Sequence, residues 1–410
     1  MKRVRWATAL AVATVTLLAG CGTGRNSSSA GSKYPDQGIT DTTIKIGLSE
    51  PETGSLAAIA TYGYGMKAYF DSVNASGGVD GRQLSLVIYD DAYDPAKALA
   101  NIRRANEVDK VFAVTGIGIP QNNVRDYATR EKLPQVFIGT ADSTFSTNYP
   151  WSRAWYPDIA WQGYLDAQFA LQKDPAAKIG IIALDNDLST DLANGVKKGL
   201  GTAHASQLVK VVNYNAANPD VSAQLLQLKN AGVTAVVSNL AGLQGVSAPK
   251  YLTQINLHPM WFIGASNSSY TSILQPAGLS NVKGYYSPLY LKDPTDPRWT
   301  DDPGMKTYRA VLAKYASNVK ANDATASAGS LAGDAFVAAL KAMKTPTRQG
   351  LMDAVDHMSK VPNDGIVAGA TLNGGADGRL IHDFQMSQFD GTQWQPAGDI
   401  TNILQTDYDK

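Results

Sequence analysis

Cysteine is nearly absent from this sequence: Cys21 is the only one in 410 residues. That excludes an intramolecular disulfide and any zinc site built on cysteine pairs, so the fold must rest on its hydrophobic core. Long apolar runs are scarce too. Beyond the first twenty residues nothing approaches the roughly 18 apolar residues of a spanning helix. Charge of one sign is missing: 36 Lys and Arg face 36 Asp and Glu. With no long charge run, the chain carries no electrostatic footprint for nucleic acid. The four histidines, His204, His258, His357 and His382, are far apart and form no HExxH pair. There is no GxxxxGK(S/T) phosphate loop and no GxSxG elbow. Gly116-Ile117-Gly118 lacks the third glycine of a dinucleotide loop, and Pro120 stiffens the backbone that follows. Asp90-Asp91 and Asp185-Asn186-Asp187 read as caps and turns after strands, not as a catalytic dyad. No cofactor or metal is expected.

What is present suits a folded, two-domain chain. The composition is 44% hydrophobic and 18% charged, ordinary for a globular protein, and the length admits two domains. Lys2, Arg3 and Arg5 precede an uncharged run from Trp6 to Leu18. That run is too short for a ~30 Å hydrocarbon core and reads as a secretory signal. It ends in Leu18-Ala19-Gly20-Cys21, which resembles the bacterial lipobox. The resemblance implies cleavage of residues 1–20 and acylation of Cys21, with enough acyl chains for stable anchoring. The remaining chain would carry 33 positive and 36 negative side chains. Residues 22–37 are rich in Gly and Ser and read as a tether, so 21–42 is expected to be lipidated Cys and linker.

From Thr43 strands and helices alternate. TIKIGLS (43–49), QLSLVIY (83–89), 111–114 and 134–138 read as strands, with helices after residue 62, from Pro95 and around 122–131. The pattern restarts with a helix over 159–171 and the unbroken apolar strand KIGIIAL (178–184), as expected of a parallel strand covered on both faces. Asp220 is expected to N-cap a helix with Gly232 just past its end, followed by strands at 233–238 and 261–264 and an extended segment at 285–290. Helices are expected over 331–343 and 351–358, and a closing hairpin within 365–395 (ATL…GGADG…FQMSQF). The expected fold class is α/β, two doubly wound Rossmann-like lobes.

One segment is more specific. Asn74, Gly77, Gly78, Val79, Gly81 and Arg82 follow the first helix; Asp90-Asp91 and Asp94-Pro95 follow the second strand. With Ile39-Thr40-Asp41, Ile44-Lys45-Ile46-Gly47 and Thr53-Gly54, they resemble the branched-chain amino-acid class of type I periplasmic binding proteins, over nearly all of the chain from residue 38. The resemblance implies a two-lobed clamp with three hinge crossovers, closing on a small solute and docking on an ABC-transporter permease. It implies an extracytoplasmic, membrane-anchored monomer with no catalysis. The lobes are expected at 43–157 plus 286–366 and 158–285 plus 367–410.

Carried over by position, the resemblance places solute contacts at Tyr62, Ile119 and Gln121, and at Gly139, Thr140, Ala141 and Asp142, a loop similar to one that holds a carboxylate. Tyr156, Leu188, Asn239, Ala265, Ser266 and Tyr285 complete the set. The departures matter. Leu188 stands where amino-acid binders of this class carry an aromatic, and the acid that holds an α-ammonium is missing near Ala265. An unpaired buried ammonium is costly. A carboxylate with an apolar body, an amide or another weakly polar solute therefore fits better; Asp142 and Asp187 are the alternative acids that keep amino acids open. A sensing lipoprotein feeding a separate receptor is the alternative function, and an enzyme is disfavoured.

Overall fold

The computed structural model describes residues 34–408, apart from Ser55, Ala216, Ala217 and Ala241. The expected signal peptide, Cys21 and most of the tether lie outside the described residues. No helix among the described residues is long and apolar enough to cross a membrane.

The first sheet contains β1 (Thr43–Glu50), β2 (Gln83–Asp90), β3 (Ala113–Gly116), β4 (Gln135–Ile138) and β5 (Ser152–Ala154). Its order is β2-β1-β3-β4-β5, with every pair parallel. Between these strands run α1 (Thr61–Ala75), α2 (Pro95–Glu107) and α3 (Arg125–Arg130). The register sets Ile46 beside Leu86 on one side and Ala113 on the other. α2 starts where Asp94 Oδ1 accepts from the amides of Ala96 and Lys97 at 2.7 and 3.0 Å, and Pro95 gives up no bond at the first helical position.

The Asn74–Arg82 segment is a clasp. The Asn74 side chain exchanges two hydrogen bonds with Leu84, from Nδ2 to its carbonyl at 2.8 Å and from its amide to Oδ1 at 2.7 Å. Gly78 has φ +78°, and a β-carbon there would meet the Arg82 carbonyl at 2.1 Å. The motif therefore fixes the route from α1 to β2.

The second passage begins with α4 (Ile159–Lys173) and continues through β6 (Ile179–Leu184), α5 (Asp187–Leu200), β7 (Leu208–Tyr214), α6 (Ser222–Asn230), β8 (Ala235–Asn239), α7 (Gly242–Gln254) and β9 (Met260–Ile263). Two short helices, α8 (Gln275–Ala277) and α9 (Leu279–Val282), lead to β10 (Tyr286–Leu289). The chain then forms α10 (Pro303–Tyr315), α11 (Ala324–Ala342) and α12 (Arg348–Asp356), and closes with β11 (Asp383–Phe389) and β12 (Trp394–Asn402). The second sheet has the order β12-β11-β10-β9-β8-β6-β7 and is antiparallel only across β10-β11-β12.

The chain thus passes between the sheets three times: after Ala154, after Leu289 and before Asp383. The sequence reading put the second crossing before Tyr286. β10 is hydrogen-bonded within the second sheet, so the crossing follows Leu289.

Each core is bound by aromatic contacts and by a close helix pair. In the first lobe Phe336 of α11 meets Phe70 of α1 at 6.0 Å and Phe137 of β4 at 4.9 Å, centroid to centroid. In the second, Phe169, Phe262 and Tyr286 pack at 5.1–6.2 Å. Each of the fully buried phenylalanine rings contributes about 1.5–3 kcal/mol; Tyr286 is only partly buried. α1 and α11 touch backbone to backbone at Gly65 and Gly329, where an added β-carbon would lie 1.9 Å from a carbonyl oxygen of the opposite helix. α4 and α5 repeat the device through Gly195, 1.9 Å by the same measure from the Ala160 oxygen.

Several boundaries differ from the sequence reading. The segment around 122–131 opens as a 3-10 turn over Ile119–Val124, because Gly118 (φ 91°) and Pro120 set a tighter entry than an α-helix. Val221, not Asp220, occupies the N-cap of α6; Asp220 instead accepts from the Ser222 amide at 2.8 Å. The hairpin is β11–β12, turned by Asp390 Oδ1 accepting from the amides of Thr392 and Gln393. The expected ATL arm makes only single bridges, Val361–Leu372 and Leu372–Ile381.

Candidate functional site

A cleft of about 600 Å³, counting the part open to solvent, lies where the crossovers meet the loop after β9. Parallel sheets direct their ligand sites to the carboxyl ends of the strands, and this site is built that way. The β9 loop supplies Ala265, Ser266, Ser268 and Ser269; the end of β10 and the following crossover supply Leu289 to Asp293. The first turn of α11 supplies Ala324, Thr325, Ser327 and Ala328, and the first crossover supplies Tyr156.

Tyr156 and Tyr290 face each other, ring centroids 6.2 Å apart at 56°. Burial pushes both hydroxyls well above the usual tyrosine range, so they stay protonated. The buried Oγ of Ser269 lies against the Asp293 carboxylate and that of Ser327 against the Tyr308 hydroxyl. Ser268 Oγ donates to the Ala265 carbonyl at 2.7 Å, and the Ala265 amide donates to Gln162 Oε1 at 3.1 Å. Lys292 pairs with Asp302 at 2.8 Å. Asp293 accepts from the Tyr270 amide at 2.6 Å and from the Thr295 amide and hydroxyl; burial raises its carboxyl above the usual range.

Of the thirteen contacts expected from sequence, Tyr156, Ala265 and Ser266 line this cleft. Tyr62 is fully buried, its hydroxyl donating to the Phe137 carbonyl at 2.8 Å. Tyr285 stacks on Trp261 at 5.7 Å inside the second lobe. Gln121 is buried and donates to the Ser49 carbonyl at 3.0 Å; Ile119 starts the neighbouring 3-10 turn. Leu188 belongs to the first turn of α5 and packs against the second-lobe core. Asn239 Oδ1 accepts from Asn267 Nδ2 at 2.5 Å.

The loop Gly139–Asp142 is held from behind. The buried Arg379 guanidinium donates to the carbonyls of Thr140, Asp142 and Tyr156. The Ala141 carbonyl accepts from the Ile159 amide at 3.1 Å, and the Asp142 carboxylate accepts from Asn122 and from the Thr144 amide and hydroxyl. Sequence reasoning missed Tyr290, Ser269 and Ser327. Asp323, which caps α11 by accepting from the Ala326 amide at 2.8 Å, was the available signal. Reading it as an N-cap would have started the helix seven residues before Leu331 and brought Ser327 into view.

Two doubly wound α/β lobes, joined by three crossovers beside a cleft, define the class as a type I periplasmic binding fold. The family model described as "periplasmic binding protein" matches residues 43–393, and the chain belongs to that family. Among curated relatives, a Leu/Ile/Val-binding protein homolog 2 of Brucella abortus is 28% identical over 200 residues, 47% of this chain and 53% of that protein. The chain spans about half the length of the curated relatives it matches. Among solved structures, a branched-chain amino acid ABC transporter protein from Thermus thermophilus with bound valine superposes with a TM-score of 0.77 at 16% identity, covering 89% of this chain and 97% of that one. An ABC-transporter solute-binding protein from R. palustris in complex with 4-hydroxybenzoate gives 0.72 at 18% identity, covering 88% and 97%.

Proposed function

We propose that this protein captures a small extracytoplasmic solute and delivers it to an ABC importer, catalysing nothing itself. The observation that carries the reading is the cleft, lined from the first lobe by the start of α11 and from the second by the β9 loop. A solute touching both sides favours their approach, and its differential affinity for the closed form drives closure. The bodies that move are the first sheet with α1–α3 and α10–α12, and the second sheet with α4–α9. Tyr156, Ala265 and Ser266, which sequence expects to touch the solute, line the cleft beside Tyr290, Ser269 and Ser327. The curated Leu/Ile/Val-binding relatives and the solute-bound neighbours support this role and a carboxylate, amide or amino-acid-like solute with an apolar body.

The protein acts as a monomer held to the outer face of the cell membrane by lipidated Cys21; the basic start, short apolar run and Leu18-Ala19-Gly20-Cys21 support that reading. Calorimetry on the full chain with candidate solutes tests the function, followed by small-angle scattering. One-to-one binding with a smaller radius of gyration is expected. Binding with no change in dimensions would count against closure.

A further inference from the structure

The cleft's described lining includes two charged side chains, Lys292 and Asp293. Both are held by partners. Lys292 directs its ammonium to Asp302 at 2.8 Å and over the Trp299 ring at 5.1 Å. Asp293 directs its carboxylate to Tyr270 and Thr295 and lies against the Ser269 hydroxyl. Of these five partners only Ser269 lines the cleft.

The chain's own groups also occupy several of the devices that hold an anion without a charged side chain. α11 aims its N-terminus at the cleft, but the Asp323 carboxylate already caps it, putting negative charge where an anion would come. The Ala265 amide is taken by Gln162. The amides of Gly139, Thr140 and Asp142 donate to Gly116, Ile138 and the Thr140 hydroxyl. A carboxylate or ammonium entering here would lose hydration and gain no opposite charge.

What remains free is neutral. The hydroxyls of Tyr156 and Tyr290 make no hydrogen bond among the described residues, whereas Ser269 Oγ sits against the Asp293 carboxylate and Ser327 Oγ against the Tyr308 hydroxyl. Hydroxyls both donate and accept, which suits an amide or an alcohol. Ala265 and Ala328 add apolar wall.

We propose that the cleft takes an uncharged solute, with an amide or hydroxyl end on a small apolar body, and discriminates against its carboxylate and ammonium counterparts. The proposal rests on the solute-binding reading and sets this chain apart from neighbours solved with valine and 4-hydroxybenzoate. The test is calorimetry on the full chain at neutral pH with matched compounds: 4-hydroxybenzamide against 4-hydroxybenzoate, and 4-methylpentanamide against 4-methylpentanoate and leucine. The amide of a set is expected to bind at least tenfold tighter than its charged partners. Tyr290→Phe is expected to weaken it three- to tenfold with the unfolding midpoint unchanged, and Ser266→Trp to abolish it. A carboxylate or leucine binding tighter than its amide would overturn the charge selection and leave the cleft as the solute site. Amide binding untouched by Ser266→Trp would overturn the assignment to this cleft. No binding by any of the five would overturn the solute-binding reading as well.

Discussion

Lys292 and Asp302 form a buried ion pair, 2.8 Å apart with side chains 9% and 16% exposed, beside the cleft and turned away from it. Removing one member leaves the other charged and poorly hydrated. Lys292→Met is expected to cost about 2–4 kcal/mol of stability, read from urea unfolding. Its affinity for an uncharged solute should change less than about threefold, because the ammonium points elsewhere. A large loss of affinity without a loss of stability would place the ammonium in the site.

The contact between α1 and α11 gives a sharper mutational contrast. A β-carbon at position 329 would lie 1.9 Å from the Tyr62 carbonyl oxygen, whereas one at Gly333 would meet Met66 Cγ at 3.3 Å. Backbone cannot yield as a flexible side chain does. Gly329→Ala should lose at least about 2 kcal/mol. Gly333→Ala should fall between a small loss and a gain of about 1 kcal/mol from helix propensity. Thermal melts of both variants check this, and equal costs would contradict the packing described.

Glu50 gives the fold a pH dependence. It is fully buried at the end of β1, with Oε2 accepting from the Gly63 amide at 2.8 Å and Oε1 unpartnered. Burial, set against that hydrogen bond, pushes its carboxyl up to about 9. The folded state therefore keeps a proton that the unfolded chain releases above its ordinary value of 4.5. The stability this confers is whole below that value and is lost as pH rises through about 9. Glu50→Gln keeps the acceptor and removes the titration. Its stability relative to the parent should rise between pH 5 and 8, by at most about 1.4 kcal/mol per pH unit. Parallel stability curves would show that Glu50 is ionised in the fold.

Arg379 ties the first crossover to the loop after β4. Its guanidinium reaches the carbonyls of Thr140, Asp142 and Tyr156, and nearby Asp158 and Asp377 favour its charge against burial. Arg379→Lys keeps the charge and loses the planar fork. It should cost about 2 kcal/mol or more and raise amide exchange selectively over residues 139–142. Unchanged exchange there would remove the loop-holding role.

The architecture was legible where local and global signals agree. The apolar run 179–184 announced a strand buried on both faces, and Asp94-Pro95 announced the start of α2. β7 went unread because it is an edge strand whose LVKVVNY pattern is mostly half-exposed. α5 also went unread, since Asp185-Asn186-Asp187 carries turn chemistry as well as helix-start chemistry. The cleft was harder still. Its walls come from residues near 156, 265–269, 289–293 and 324–328, which only the crossovers bring together. The most specific motif, Asn74 to Arg82, shapes the turn from α1 into β2 and carries no information about the solute.

The most direct measurement is thermal unfolding of the full chain with and without solute, parent beside Ser266→Trp. Ser266 is exposed on the cleft wall, so the variant should fold while its indole fills the space. A solute at ~100 times its dissociation constant should add about 2.7 kcal/mol to the parent and raise its midpoint. The same solute should leave the variant's midpoint where it was. An equal rise in both proteins, or no rise in the parent with any amide, alcohol, acid or amino acid, would contradict the cleft as the seat of solute binding.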